Sequence, residues 1–144
     1  LIFNGELYNF QDIRKELVEA GHVFTTHTDS EILLHGYEEW GKEGLLGRLR
    51  GMFAFVIFDR TKKTLFGARD HFGIKPFYYY HKDGTFLFGS EIKSFLAHPD
   101  FQKELFEEKL PDFMTFGCIP GAETFSGMCT SFCRDITSHT RREG

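Results

Sequence analysis

Met52-Phe53-Ala54-Phe55-Val56-Ile57-Phe58 is apolar at odd and even positions alike. Side chains of a strand point alternately to its two faces, so a strand apolar throughout must be covered on both. The stretch therefore predicts a strand sandwiched between layers. Residues 59–63 form a charged turn, and residues 64–68 return as the partner strand. Residues 77–80, the turn at Lys82-Asp83-Gly84 and residues 85–88 read as a further hairpin. Phe53, Phe55, Phe58, Phe66, Phe86 and Phe88 then fall on the faces of packed sheets, where each ring buries a large apolar area.

Upstream, Leu1-Ile2-Phe3 reads as the end of a buried strand. Asn9 offers an N-cap to a helix with Phe10, Ile13, Leu17 and Ala20 on one face and Gly21 as its stop. Val23 and Phe24 suggest a short strand. Thr28 and Asp29 compete to cap a second helix, with Glu31 at capping-box spacing from Thr28. That helix carries Ile32, Leu33, Tyr37 and Trp40 and should stop at Gly41. Residues 91–97 and 103–116 read as helical, with Pro111 shortening or kinking the second. Helices, doubly covered strands, then helices predict an α+β domain of two packed sheets with helices outside.

Composition narrows the function classes. The chain has 144 residues, 41% hydrophobic and 26% charged, the profile of a soluble globular protein. No apolar run approaches the roughly 20 residues of a membrane span. A net charge of −4 with mixed signs argues against nucleic-acid and basic membrane-surface binding. Cys118, Cys129 and Cys133 fall late and make neither a zinc set nor a disulfide framework, so they read as reduced intracellular thiols. The opening Leu1-Ile2-Phe3-Asn4 reads as a fragment that begins inside a fold.

Candidate chemistry is sparse. Asn4-Gly5-Glu6 follows a strand and precedes a helix. An Asn amide beside a Gly N–H could offer two donors to an oxyanion, although Asn-Gly is first of all a turn dipeptide. Glu6 and Asp29 could clamp a substrate ammonium group, with helix capping the plainer reading of Asp29. Arg69-Asp70 before Gly73 and Pro76 reads as a structural pair at a fixed turn. None of the seven histidines (His22, His27, His35, His71, His81, His98 and His139) has a sharp partner spacing, and all read as non-catalytic. No metal site is expected.

Five segments nevertheless fall in a distinctive order: residues 3–9 (FNGELYN), 28–31 (TDSE), 50–55 (RGMFAF), 68–76 (ARDHFGIKP) and 90–93 (SEIK). In order, spacing and residue type they resemble the glutaminase domain of glutamine-hydrolysing asparagine synthetases, which are class II glutamine amidotransferases. Amidophosphoribosyltransferases share the Asn-Gly and Arg-Asp…Gly-Ile motifs but fit less well at residues 3–9 and at the Met52 strand. The resemblance covers about residues 1–125 and implies an N-terminal-nucleophile (Ntn) hydrolase fold, a four-layer αββα sandwich, here incomplete. It also implies glutamine hydrolysis to glutamate and ammonia by an N-terminal Cys. The Asn4 side chain and Gly5 N–H would form the oxyanion hole, and Glu6 and Asp29 would hold the α-ammonium of glutamine. The domain would need no cofactor. The ammonia would pass to a synthetase domain of the same parent chain, which activates aspartate with ATP and magnesium. The resemblance implies a cytoplasmic enzyme and allows a homodimer of the parent. The alternative reading is a non-catalytic amidotransferase-like binding module.

Two departures add expectations. The family's N-terminal Cys and its carboxylate-gripping Arg precede the motif at Asn4 and are not in this chain, so the chain as written is expected to hydrolyse no glutamine. After Gly117-Cys118-Ile119-Pro120-Gly121-Ala122-Glu123-Thr124-Phe125 the pattern ends abruptly. Residues 126–144 are expected to be an aberrant, disordered tail read out of frame, because restoring one nucleotide near Phe125 recovers a Leu-Pro-Gly-His run like the family's continuation.

Overall fold

The apolar run at Met52 becomes the central strand of an antiparallel sheet. In the computed structural model, which describes residues 1–116, 119, 124, 126 and 129–131, β1 (Ile2–Leu7), β2 (Gly51–Asp59) and β3 (Thr64–Arg69) pair in the order β1-β2-β3. Phe3 faces Phe55, Gly5 faces Phe53, and Leu7 faces Gly51 across β1 and β2. Every residue of β2 from Phe53 to Ile57 is buried, so both of its faces are covered, as an unbroken apolar strand requires. Phe58 is 50% exposed, the exception among the phenylalanines expected in the first sheet.

One face of this sheet packs on two helices, α1 (Phe10–Glu19) and α2 (Asp29–Arg48). Ile13 and Leu17 from α1, and Ile32, Leu33, Tyr37 and Leu45 from α2, join Phe53, Phe55, Ile57 and Phe66 in one core. Burying each of these side chains contributes about 1.5–3 kcal/mol. The Tyr37 hydroxyl donates to Asp59 Oδ2 at 3.0 Å, tying α2 to the β2–β3 turn. Burial, reinforced by that carboxylate, raises the Tyr37 pKa.

α1 ends at Ala20 with the paired bonds Gly21 N–H to Val18 O and His22 N–H to Leu17 O, the double closure expected where Gly follows a helix. Asn9 precedes α1 without a side-chain capping bond. Its amide instead donates to Arg48 O and its oxygen accepts from Arg50 N–H, holding the connection into β2. Val23 and Phe24 form no strand. Phe24 is held by its ring, edge-on to His35 and beneath the Arg14 guanidinium, at 4.5 and 4.4 Å. Gly41 (φ 68°, ψ −166°) breaks the helical geometry of α2, but the chain resumes the helix to Arg48 because Leu45 beyond the break belongs in the core.

A second compact unit begins at Lys75. Its sheet is antiparallel in the order β5-β4-β6, from β4 (Tyr78–Lys82), β5 (Thr85–Gly89) and β6 (Cys129–Ser131). Asp83 and Gly84 both take positive φ (49° and 80°), the two-residue hairpin turn whose twist suits the flanking strands. Residues 92–97 form a 3-10 helix rather than an α-helix. The second predicted helix begins as a 3-10 turn at Glu107–Lys109 and continues as α3 (Leu110–Phe116), with Pro111 in the first turn of α3, where a missing N–H costs nothing. Tyr80, Phe95, Phe101 and Cys129 make this unit's core. Phe86 and Phe88 are only half-buried.

Of the predicted aberrant tail, only residue 126 and β6 are described, and the expectation of disorder for the rest lies outside the described residues, as do Cys118 and Cys133. Cys129 carries no disulfide, and burial raises its thiol pKa against a weaker opposing bond from Ser126. Among the described residues no helix is long and apolar enough to cross a membrane.

Candidate functional site

Asn4-Gly5-Glu6 is not a turn. It is the middle of β1, because residues 2–7 pair with β2 in unbroken register. Asn4 and Glu6 project on the exposed side of the strand, while Gly5 lies on the side of Phe3 and Leu7. A Cβ on Gly5 would stand 2.3 Å from the Met52 carbonyl oxygen and 2.7 Å from Phe53 Cα, so the two backbones meet there at a distance only glycine permits. Gly51, two pairs along, is pressed equally against β1, its Cβ position 2.2 Å from the Glu6 carbonyl.

Asp29 reaches this strand from the first residue of α2. Its Oδ2 accepts the Leu7 N–H at 3.0 Å. Tyr8 N–H points the other way, to Arg50 O at 2.8 Å. Backbone donors alternate along a strand, so the Gly5 N–H lies on the same edge as the Leu7 N–H that Asp29 accepts. The four candidates thus come together along one strand: Asn4 and Glu6 by their side chains, Gly5 by its backbone, and Asp29 through Leu7. Thr28 precedes α2 without a side-chain capping bond, its hydroxyl meeting the Ser30 hydroxyl at 3.0 Å instead, and Asp29 spends one oxygen on β1.

Carboxylates around the sheet fix the neighbouring loops. Asp70 is buried at the end of β3 and accepts three backbone N–H groups, from Phe53 at 3.2 Å, Phe72 at 3.1 Å and Ile74 at 3.0 Å. Arg69, which pairs with Ala54 across the sheet just as Asn4 does, donates to Gly73 O at 2.6 Å. Arg69, Asp70 and Gly73 therefore shape a loop, as their spacing suggested. Glu31 is not half of a capping box with Thr28. It reaches past it to accept the N–H and hydroxyl groups of Thr25 and Thr26 at 2.6–3.0 Å, and these bonds hold its pKa down to about 2.

A family model for the glutamine amidotransferase domain matches residues 1–139. The chain belongs to the glutamine amidotransferase domain family. Asparagine synthetase [glutamine-hydrolyzing] 3 of Bacillus subtilis is 45% identical over 130 residues, covering 89% of this chain and 21% of that protein. Asparagine synthetase [glutamine-hydrolyzing] 1 of the same organism is 43% identical over 125 residues, covering 86% and 19%. The chain thus spans about a fifth of the length of these relatives. Among solved structures, a glutamine phosphoribosylpyrophosphate amidotransferase from B. subtilis aligns over 65% of this chain and 22% of its own, at 26% identity and a TM-score of 0.57. A solved structure of the allosteric regulatory enzyme of purine biosynthesis aligns equally well over 65% and 21%, at 27% identity and a TM-score of 0.57. The amidotransferase domain is thus an α+β, Ntn-hydrolase-like fold with antiparallel sheets.

Elsewhere in the amidotransferase chain, a cavity of about 520 Å³ opens on the second unit, lined by apolar groups such as Phe86, Phe88 and Phe95 with Ser94 and His98. The four candidates are all on the first unit. Sequence reasoning missed the bond from Asp29 to Leu7, because nothing local to residue 29 announces a partner 22 positions away. It also missed the meeting of His22 with His35. The one local signal there was the spacing of Glu31, His35 and Glu38 along a single helical stripe.

Proposed function

We propose that this chain is the glutamine-binding part of an asparagine synthetase whose amidotransferase domain releases ammonia from glutamine. The observation that carries the reading is the bond from Leu7 N–H to Asp29 Oδ2, which sets a carboxylate at the edge of the strand bearing Asn4, Gly5 and Glu6. Glutamine brings an α-ammonium that needs carboxylate acceptors and an amide carbonyl that becomes an oxyanion when attacked. In this reading Glu6 and the second oxygen of Asp29 accept from the ammonium. The Asn4 amide and the Gly5 N–H, rigid on a strand, donate to the oxyanion, and such donors are each worth about 2.7–4 kcal/mol of transition-state stabilisation. The nucleophile is the Cys thiol that the family carries at its N-terminus, with the free α-amine moving the proton.

The ammonia would be consumed by a synthetase domain of the parent enzyme, using ATP and magnesium to convert aspartate to asparagine. Relatives 43–45% identical favour this over a phosphoribosyl acceptor, where the likeness is 26%. No cofactor is assigned to the amidotransferase domain itself.

The test is an NMR titration of the 15N-labelled chain with L-glutamine and with glutaramic acid, which is glutamine without its α-amine. Shifts should concentrate at residues 4–7 and 29, and glutaramic acid should bind at least tenfold more weakly. Asp29→Asn should remove most of that difference. Equal binding of the two ligands, or shifts centred elsewhere, would overturn the reading.

A further inference from the structure

Where α1 gives way to α2, two imidazoles separated by 13 positions meet edge to face, their planes 67° apart, in an environment of carboxylates. His22 Nδ1 lies 3.1 Å from His35 Nδ1. The other nitrogen of each ring faces an acid: His22 Nε2 stands 3.0 Å from Glu39 Oε2, and His35 Nε2 stands 3.5 Å from Glu31 Oε1. A carboxylate accepts and cannot donate, so Glu39 favours a proton on His22 Nε2 and leaves the His22 Nδ1 lone pair to accept from His35 Nδ1–H or to bind a metal ion. A third donor joins the pair, with Glu38 Oε2 3.7 Å from His35 Nδ1. One ligand atom from each of His22, His35 and Glu38 falls within 4.8 Å of the others.

We propose that His22 Nδ1, His35 Nδ1 and the Glu38 carboxylate form a Zn2+ site distinct from the glutamine-binding strand. Two nitrogens bound tetrahedrally at a Zn–N length of 2.0–2.1 Å stand about 3.3 Å apart, close to the observed separation of the imidazoles. Two imidazoles and a carboxylate are a donor set that suits zinc and its neighbours in the transition series rather than calcium or magnesium. Glu39, 3.0 Å from His22 Nε2, supplies an outer-layer acceptor of the kind that orients a ligating histidine, and Glu31 stands as a charge partner 3.5 Å from His35 Nε2. Glu31 is itself fixed by four bonds from Thr25 and Thr26. The ion would therefore clamp the connection at residues 21–28 onto α2. The fourth coordination position would be filled by water.

Metal-free 144-residue chain titrated with Co2+ should develop the visible absorption of a tetrahedral ion at one equivalent, without the near-ultraviolet band of a thiolate ligand. Zn2+ should displace the Co2+ and raise Tm by roughly 5–10 °C at a hundredfold excess over its Kd. His22→Ala and His35→Ala should abolish both signals, Glu38→Gln should weaken binding at least tenfold, and His27→Ala should leave it unchanged. If His35→Ala disturbs the helix, His22→Ala decides alone, since His22 lies outside both helices. Binding that survives His22→Ala, a thiolate band in the Co2+ spectrum, or no saturable binding would each overturn the site.

Discussion

Gly5→Ala tests the close approach of β1 and β2 that holds the strand bearing Asn4, Gly5 and Glu6 in place. The new Cβ would lie 2.3 Å from the Met52 carbonyl oxygen, against about 3.4 Å for ordinary contact. The obstacle is backbone, which cannot swing aside as a flexible side chain would. β1 would have to retreat by about 1.1 Å, stretching ladder bonds of roughly 2.9 Å to about 4 Å, beyond hydrogen-bonding range. Losing the two bonds that flank Gly5 costs about 2 kcal/mol, and residual overpacking brings the total to about 3 kcal/mol. Gly84→Ala offers the contrast. Its φ of +80° strains an alanine by about 1–2 kcal/mol, but nothing lies within 4 Å of the added methyl group. Gly47→Ala, in α2 with equally open space, should gain up to about 1 kcal/mol from helix propensity. Urea unfolding followed by far-ultraviolet circular dichroism reads both units, and the fluorescence of Trp40, the chain's one tryptophan, reads the helix-backed unit alone. Gly5→Ala and Gly51→Ala should show matching large losses, Gly84→Ala a smaller one and Gly47→Ala none. A Gly5→Ala cost no greater than that of Gly84→Ala would refute the claim that the strands touch there.

Glu31→Gln should lower stability at neutral pH, and the deficit should shrink in acid. The Glu31 carboxyl is held at about 2 in the folded chain against 4.5 ordinarily, so its contribution is complete above pH 4.5 and fades as pH falls toward 2. Urea midpoints of the two proteins at pH 6 and pH 2.5 check this, and equal deficits at the two values would contradict it. Asp70→Ala strands three backbone N–H groups, one of them buried, at about 1 kcal/mol each, for a loss near 3 kcal/mol. Asp70→Asn, which keeps a carbonyl acceptor, should lose less in the same unfolding assay; an Asp70→Ala protein within 1 kcal/mol of the parent would show that the loop holds without this carboxylate.

What the sequence made legible divides by range. The β2 run, the helical faces of Ile13 and Leu17, and the Asp83-Gly84 turn could be read because each is a local pattern whose period or backbone demand is written within a few residues. The errors fall where a tertiary partner outbid a local preference. Asn4-Gly5 has the composition of a turn, yet six register pairs with β2 keep it extended, and its glycine serves close packing rather than chain reversal. Asn9 and Thr28 have the right chemistry for caps. The Asn9 side chain is drawn off to residues 48 and 50, and Glu31 finds its donors at Thr25 and Thr26 rather than Thr28.

The same asymmetry governs the candidate site. Asn4, Gly5, Glu6 and Asp29 could be named from residue type and the family pattern lined them up, but no spacing rule links residue 7 to residue 29. The fold supplies that link through one bond, and with it a reason for the acid at residue 29 that helix capping does not give. The facing histidines carry the argument further. His22 and His35 have no short-range signature, and a scan for metal motifs passes over them. Yet the α1–α2 turn that returns the chain to set Asp29 against β1 also brings His22 onto the stripe of Glu31, His35 and Glu38. An ion bound there would brace the connection leading into Asp29. Metal binding should therefore protect the backbone amides of residues 22–28 from hydrogen exchange while leaving glutamine specificity to the strand. Hydrogen exchange with and without Zn2+ makes the separation visible, and protection spread evenly over the chain would argue against a local clamp.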